Sequence, residues 1–165
     1  MRRSGIIVGI DPDVSKSGIA VLDCKKQTFT QVDCLSFAQM VNKFVDLAAD
    51  MTSESVVTIV MEDSDISCNW HTSPRDNKAV AAAKGRSVGM CHATARHLKE
   101  VAENFGLEVI GHRPLIKNWN GKDKKISHDE AIQFMRGLPT RTNQEMRDAA
   151  LLAWSYADIP IWIKV

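Results

Sequence analysis

Two acidic residues each stand directly after an apolar segment of the sequence. Asp11 follows residues 6–10, which read IIVGI, and Glu62 follows residues 56–61, which read VVTIVM. Apolar runs of this length, rich in β-branched residues, are typical of strands buried on both faces of a sheet. If the two strands are adjacent, both carboxylates emerge at the same edge of that sheet. A buried charge is unfavourable unless it is paired or binds a metal ion. The simpler alternative for Asp11 is an aspartate in a turn whose side chain caps its own backbone.

Two further acids, Glu145 and Asp148, lie three residues apart, so that a helix would carry them on one face. The small residues Ala149 and Ala150 would let this helix approach the sheet closely. Four converging carboxylates raise one another's pKa, and divalent cations relieve the repulsion. Mg²⁺ prefers oxygen ligands, and two ions about 3.5–4 Å apart can activate a water and stabilise the leaving oxygen of a phosphodiester. Each acid alone is ordinarily a surface charge or a cap, so it is the ordered set that indicates catalysis.

The charge of the chain is small overall and unevenly distributed. The 165 residues have a formal net charge of +1, with 44% hydrophobic and 25% charged residues, as in an ordinary globular protein. Residues 71–141 contain 13 Lys and Arg against 7 Asp and Glu, a balance of +6, together with all five histidines. Such a segment predicts either a phosphate-binding surface or a solvated helix face.

Within this segment, residues 111–127 form a predicted basic loop whose candidate nucleic-acid contacts are Lys117, Trp119, Lys122, Lys124 and Lys125. Trp70 and Trp119 are predicted in loops beside basic residues, where an exposed ring can stack on an unpaired base. The alternative is that these rings cover a small satellite core. Arg86, next to Gly85, is a candidate phosphate clamp or else a surface arginine of a helix.

The periodicity of apolar residues predicts the elements that must position these groups. Strands are expected at residues 6–10, 19–22, 27–35, 56–61 and 107–110, and helices at 37–50, 78–105 with an interruption at 84–86, 128–135 and 143–157. The first three strands follow one another closely and form an antiparallel meander, whereas the last two each follow a helix and suit parallel crossovers. We therefore predict one α/β domain over residues 1–165, with a mixed sheet and helices on both of its faces.

Composition also argues against several classes of protein. The four cysteines form no C-x-x-C pair, so that reduced thiols are expected rather than a zinc site. No apolar stretch reaches 18 residues, and the first apolar run is broken by Asp11, so neither a membrane span nor a signal peptide is predicted. The expected location is the cytoplasm.

Four motifs in order resemble the RuvC-like branch of the ribonuclease H superfamily. They read GIDPDVSKSGIAVLD, VVTIVMED, KGRSVGMCHATARHL and NQEMRDAALLAW, and together they extend over nearly the whole chain. The resemblance implies a ribonuclease H-like sheet of five strands, three antiparallel and then two parallel. Asp11, Glu62 and Asp148 match the family's acidic positions, and Glu145 matches the fourth, where aspartate is common. Asp13 stands where the bacterial resolvases usually have glycine.

The resemblance implies a magnesium-dependent endonuclease, with Mn²⁺ as an alternative ion, that uses two cations to resolve four-way (Holliday) DNA junctions as a homodimer in recombination or repair. Lys117 and either Lys124 or Lys125 resemble the basic residues that the resolvases place near the scissile phosphate. A ribonuclease H-type enzyme acting on RNA–DNA hybrids and a non-catalytic nucleic-acid-binding module remain as alternatives. A sugar-kinase or actin-like ATPase is disfavoured, because it needs two such domains and this chain is too short.

Overall fold

The computed structural model describes residues 5–52, 56–62 and 73–162, and its centre is a five-stranded sheet. The strands are β1 (Ile6–Asp11), β2 (Ser17–Asp23), β3 (Thr28–Leu35), β4 (Val57–Glu62) and β5 (Glu108–His112). Their spatial order is β3-β2-β1-β4-β5, in which β1, β2 and β3 are antiparallel and β1, β4 and β5 are parallel. The predicted mixed sheet of three antiparallel and then parallel strands is confirmed.

Within the described residues, four helices and one short 3₁₀ turn surround the sheet: α1 (Phe37–Ala49), α2 (Lys78–Asn104), α3 (His128–Phe134), α4 (Gln144–Tyr156) and the turn at Lys122–Lys124. Ser36 and Ser127 cap the N-termini of α1 and α3 with capping boxes. In each box the serine hydroxyl oxygen accepts from the backbone N–H of the third helical residue, and the side chain of that residue accepts from the backbone N–H of the serine. Helix α2 runs without a break through residues 84–86, so the predicted interruption there was wrong.

The two faces of the sheet bury different sets of residues. Val8, Ile10 and Ile59 pack in the cluster that includes α1 and α2, whereas Ile7 and Val60 pack in the cluster that includes α3 and α4. Side chains alternate between the faces along a strand. Asp11 therefore shares the α4 side with Ile7, and Glu62 shares it with Val60, so that both carboxylates face the helix that carries the other two acids.

Helix α4 rests directly on the middle of the sheet because two glycines leave room for its backbone. A Cβ atom added to Gly9 would collide with the carbonyl oxygen of Ala149, and one added to Gly18 would collide with the carbonyl oxygen of Glu145. Ala149 and Ala153 are fully buried on the same side. This close approach fixes the height of α4 above β1 and β2 and hence the position of its acidic side chains.

In the part of the chain that the structure describes, we find no helix with the length and apolar character needed to span a membrane.

Candidate active site

Three carboxylates meet at the end of the two central parallel strands. Ile10 of β1 is paired with Met61 of β4, so that Asp11 and Glu62, the next residues, lie side by side at the same edge. Asp148 lies on α4 directly before Ala149, the residue that contacts Gly9, and this places its carboxylate over the same strand ends. The convergence expected from the ordered motifs is therefore present for Asp11, Glu62 and Asp148.

The surroundings of Asp11 oppose its ionisation. Burial is the largest effect, and the negative charges of Asp148 and Glu62 add to it, so that the pKa of Asp11 rises to about 8. The ammonium group of Lys125 acts in the opposite sense, and Glu145 contributes the smallest of these effects. Without a metal ion, Asp11 therefore holds a proton near neutral pH.

Glu62 responds to the same surroundings. Burial and then the charge of Asp148 raise its pKa, while Lys125, Lys117 and His112 act to lower it. His112 is the residue of β5 that pairs with Glu62 across the parallel ladder. Asp11 and Glu62 therefore share one electrostatic environment, in which the charge of Asp148 raises the pKa of both.

Lys125 partly neutralises this cluster. The Nζ of Lys125 donates to Oδ2 of Asp148 at 2.7 Å, and the other oxygen of that carboxylate, Oδ1, accepts from Nε2 of Gln144 at 2.7 Å. Partial burial alone would lower the pKa of Lys125, but the hydrogen bond to Asp148 and the nearby carboxylates outweigh it and raise that pKa. Lys125 is thus a charged counter-ion inside the acidic cluster.

A cavity of about 90 Å³ opens beside the lysine and the acids. Its lining combines charged and apolar side chains: Glu62, Leu115, Ile116, Lys117, Trp119, Lys125, Ile126, Asp148 and Leu151. The ring of Trp119 stacks on Phe134 of α3, with centroids 5.9 Å apart and planes inclined by 16°. One face of Trp119 is therefore occupied by the protein, while the same residue contributes to the cavity wall.

Arg147, which sequence reasoning missed, connects the basic loop to α4. Its Nε donates to the carbonyl of Ile126 at 2.9 Å, its Nη1 to the carbonyl of Thr142 at 2.6 Å, and its Nη2 to Oε1 of Gln144 at 2.9 Å. Ile126 is the neighbour of Lys125, and Gln144 is the partner of Asp148. The spacing of Gln144 and Asp148, four apart on a helix, is a signal that could have suggested their contact; nothing in the sequence indicates the loop carbonyls.

Glu130 anchors the other end of the same loop. It is only 7% exposed; one carboxylate oxygen accepts from the backbone N–H of Asn120 at 3.0 Å, and the other accepts from the N–H and the hydroxyl of Ser127. The capping box predicts the bond to Ser127 but not the bond to Asn120. Residues 120–127, which include Lys125, are therefore held at both ends.

The remaining predicted residues differ in burial: one is half-buried, three are exposed and one is outside the described residues. Glu145 is half-buried in the first turn of α4, and its main chain rather than its carboxylate is pressed against Gly18. Lys122 and Lys124 are exposed in the 3₁₀ turn, and Arg86 is exposed on α2. Trp70 lies outside the described residues.

The donor set suits a hard divalent cation, since Asp11, Glu62 and Asp148 offer only carboxylate oxygens. Across residues 5–52, 56–62 and 73–162, no three acidic, histidine or cysteine side chains are arranged to hold one ion as they stand. One oxygen of Asp148 that a cation would need is engaged by the ammonium group of Lys125. A crowded carboxylate set with an ammonium group among its members is chemically compatible with a cation site.

Comparison with solved structures identifies the fold. A structure of RuvC from T. thermophilus, in complex with Holliday junction substrate, matches 93% of this chain over 92% of its own length, with a TM-score of 0.52 and 13% identity. A further structure of Thermus thermophilus RuvC has a TM-score of 0.49 over 92% of this chain and 93% of its own, also at 13% identity. The large terminase nuclease from thermophilic phage G20c has a TM-score of 0.32 over 92% of this chain and 81% of its own, at 13% identity.

No protein-family model matches the sequence. No curated protein matches it in sequence. The first of the solved structures and the strand order together show that the chain has the ribonuclease H-like fold of RuvC.

Proposed function

We propose that the protein is a divalent-cation-dependent DNA endonuclease that cuts four-way junctions. The observation that carries this proposal is the meeting of Asp11, Glu62 and Asp148 at one end of the sheet, where burial and mutual repulsion raise the pKa of Asp11 to about 8. A strongly raised pKa with identified charged neighbours is typical of functional sites, and carboxylate oxygens are the ligands that Mg²⁺ prefers. The fold similarity to a RuvC bound to a Holliday junction supports the choice of substrate.

Asp11, Glu62 and Asp148 would hold two Mg²⁺ ions, or Mn²⁺ in their place, and Glu145 would complete the set from the first turn of α4. When bound, such cations would supply activation of the attacking water and stabilisation of the leaving 3′ oxygen, and hydrolysis of this kind would give a 5′-phosphate product. The carboxylates of Asp11 and Glu62 would hold these cations at the strand ends. Because the site is partly buried, solvent would screen the attraction between the carboxylates and the cations only weakly.

Basic residues around the cavity would bind the DNA backbone. Lys117 and Lys125 line the cavity together with Glu62 and Asp148, and this supports a role for both at the scissile phosphate. The exposed side chains of Lys122, Lys124 and Arg86 would contact more distant phosphates. Trp119 and Trp70 are the candidates for stacking on unpaired bases of the junction.

We further propose that the protein acts as a homodimer in the cytoplasm. A four-way junction has two symmetric strands to cut, and a two-fold dimer presents one site to each of them. Light scattering on the protein, alone and with a junction, measures this state directly. A complex with one protein chain per junction would contradict it.

The decisive experiment compares cleavage of labelled four-way junction, flap, duplex and RNA–DNA hybrid in the presence of Mg²⁺. We expect the wild type to cut the junction in preference to the others, and Asp11→Asn and Glu62→Gln to abolish cutting while they still bind the junction. Asp23→Asn is the matched control, because Asp23 ends β2 at the opposite edge of the sheet, beside Ile6. Preferred cutting of the hybrid would favour the ribonuclease H alternative, and cutting that persists in both site variants would rule the assignment out.

A further inference from the structure

The two oxygens of Asp148 are both engaged, but by partners of different kinds. Oδ2 accepts from the ammonium group of Lys125 at 2.7 Å, and Oδ1 accepts from the side-chain amide of Gln144 at 2.7 Å. Asp148 itself is largely buried, with 15% of its side chain exposed, so that its oxygens have little access to bulk water. A cation that binds Asp148 must therefore compete with a protein group that is already in place.

Arg147 fixes the orientation of the side-chain amide of Gln144. Its Oε1 accepts from Nη2 of Arg147 at 2.9 Å, which directs its Nε2 group towards Asp148. Arg147 is held in turn by the carbonyls of Thr142 and Ile126. Since an arginine can only donate, the amide cannot turn over without losing a bond at each end.

Lys125 is held less firmly. Its side chain is 34% exposed, and within the described residues its ammonium group has no hydrogen bond other than that to Asp148. A lysine ends in a single charged nitrogen on a flexible chain of four methylene groups, so it can move to another partner without a change in the backbone. The cavity beside it, which Lys117 also lines, provides the space for that movement.

We propose that Lys125 is an internal counter-ion that occupies Oδ2 of Asp148 until a divalent cation displaces it, while Gln144 keeps Oδ1 throughout. Asp148 then offers one oxygen, Oδ2, to the cation. The ammonium group is released into the cavity on the side of Lys117, where it faces the position assigned above to the scissile phosphate. This inference rests on the proposed function only in requiring that the acidic cluster binds a divalent cation.

Binding of Mn²⁺ to the full chain without DNA, measured by electron paramagnetic resonance, tests the displacement. We expect Lys125→Met to bind Mn²⁺ about tenfold more tightly than the wild type, because the competing charge is gone. Lys26→Met is the matched control: Lys26 also pairs with an aspartate, Asp23, at 3.3 Å, but at the far edge of the sheet. Its affinity for Mn²⁺ should equal that of the wild type.

A second measurement keeps the wild-type protein intact. We expect the ammonium resonance of Lys125 in a nitrogen-detected spectrum to shift on saturation with Mg²⁺, while the side-chain amide of Gln144 stays protected from exchange with water. Equal or weaker Mn²⁺ binding by Lys125→Met, or an ammonium resonance that Mg²⁺ leaves unchanged, would overturn the proposal. If Lys125→Met binds Mn²⁺ more tightly but the wild-type protein cuts no DNA, then the displacement of Lys125 is upheld and only the nuclease assignment is rejected.

Discussion

The backbone carbonyl of Ala149 lies against the hydrogen-only side of Gly9, so that α4 touches β1 with no side chain between them. Gly18 of β2 receives the carbonyl of Glu145 in the same way. These two contacts lie on either side of Asp148 along the helix. The distance of Asp148 from Asp11 is therefore set by two glycines rather than by the acids themselves.

Replacing either glycine by alanine should lift α4 from the sheet. The added Cβ would overlap a backbone carbonyl, and overpacking of this kind costs about 1–3 kcal/mol in the free energy of unfolding. We expect Gly9→Ala and Gly18→Ala to show this loss in urea denaturation and to lose more cleavage activity than the loss of folded protein explains. Gly89→Ala is the control, since a Cβ there meets no atom of the described residues within 4 Å and alanine favours a helix by about 0.5–1 kcal/mol. Wild-type stability in both sheet variants would contradict the contact.

The pKa of Asp11 predicts how stability depends on pH in the absence of metal. Between about pH 4 and pH 8 the folded protein holds a proton that the unfolded chain releases, so the free energy of unfolding falls as the pH rises. The slope due to this group is at most about 1.4 kcal/mol per pH unit. Asp11→Asn should remove it, as measured by urea denaturation in EDTA at pH 5, 6, 7 and 8.

Asp23→Asn provides the comparison for that series. The backbone N–H of Lys26 donates to Asp23 and holds its pKa below the usual range, so Asp23 stays ionised over these pH values. The variant should keep the wild-type slope between pH 5 and pH 8. If the free energy of unfolding changes with pH equally in the wild type and in Asp11→Asn, then the proton that the folded protein retains is not on Asp11.

Arg147 is expected to act as a positioning residue. Arg147→Met removes donors to Ile126, Thr142 and Gln144, which frees the amide that orients Asp148. Loss of an outer support of this kind typically lowers metal affinity or activity by about 10–100-fold. We expect kcat for junction cleavage to fall by that amount with little change in KM, and Arg147→Lys to recover part of the loss.

Arg141→Met removes the same charge from the exposed loop before α4 and should leave kcat near the wild-type value. If it lowers kcat as much as Arg147→Met does, then net charge and not the hydrogen bonds of Arg147 is responsible.

Glu130 should determine the order of the basic loop. Glu130→Gln replaces one of its two accepting oxygens by an amide, so that Asn120 or Ser127 loses a buried acceptor, at a cost of about 1–3 kcal/mol. We expect lower stability, faster hydrogen exchange at the Asn120 amide and weaker junction binding. Glu103→Gln, an exposed glutamate of α2, should change none of these three. Unchanged exchange at Asn120 would contradict the role of Glu130.

Much of the architecture follows from local sequence. The apolar runs before Asp11 and Glu62 are long enough to fix two strands and their ends, and the capping boxes at Ser36 and Ser127 fix the starts of two helices. The candidate acids follow from those ends and from helical spacing. These signals act over a few residues, and for that reason they can be read without the fold.

The detail around the acids depends on contacts between distant segments. Lys124 and Lys125 are equivalent in sequence, and only the folded loop directs Lys125 to Asp148 while it leaves Lys124 exposed. Trp119 is similar: its stacking on Phe134 arises from tertiary packing. In the sequence, Arg147 resembles an ordinary surface residue of a helix, and only the folded structure shows that it donates to the carbonyls of Ile126 and Thr142.

Helix α4 follows in sequence every other described element that contributes to the site, yet it supplies Asp148 and closes the cavity. During translation, a nascent chain that has made β1 to β5 already carries Asp11 and Glu62 but has no partner for them. The cutting activity proposed above would then appear only when α4 docks onto Gly9 and Gly18. A ribosome-bound fragment would thus be harmless to the nucleic acids that surround it.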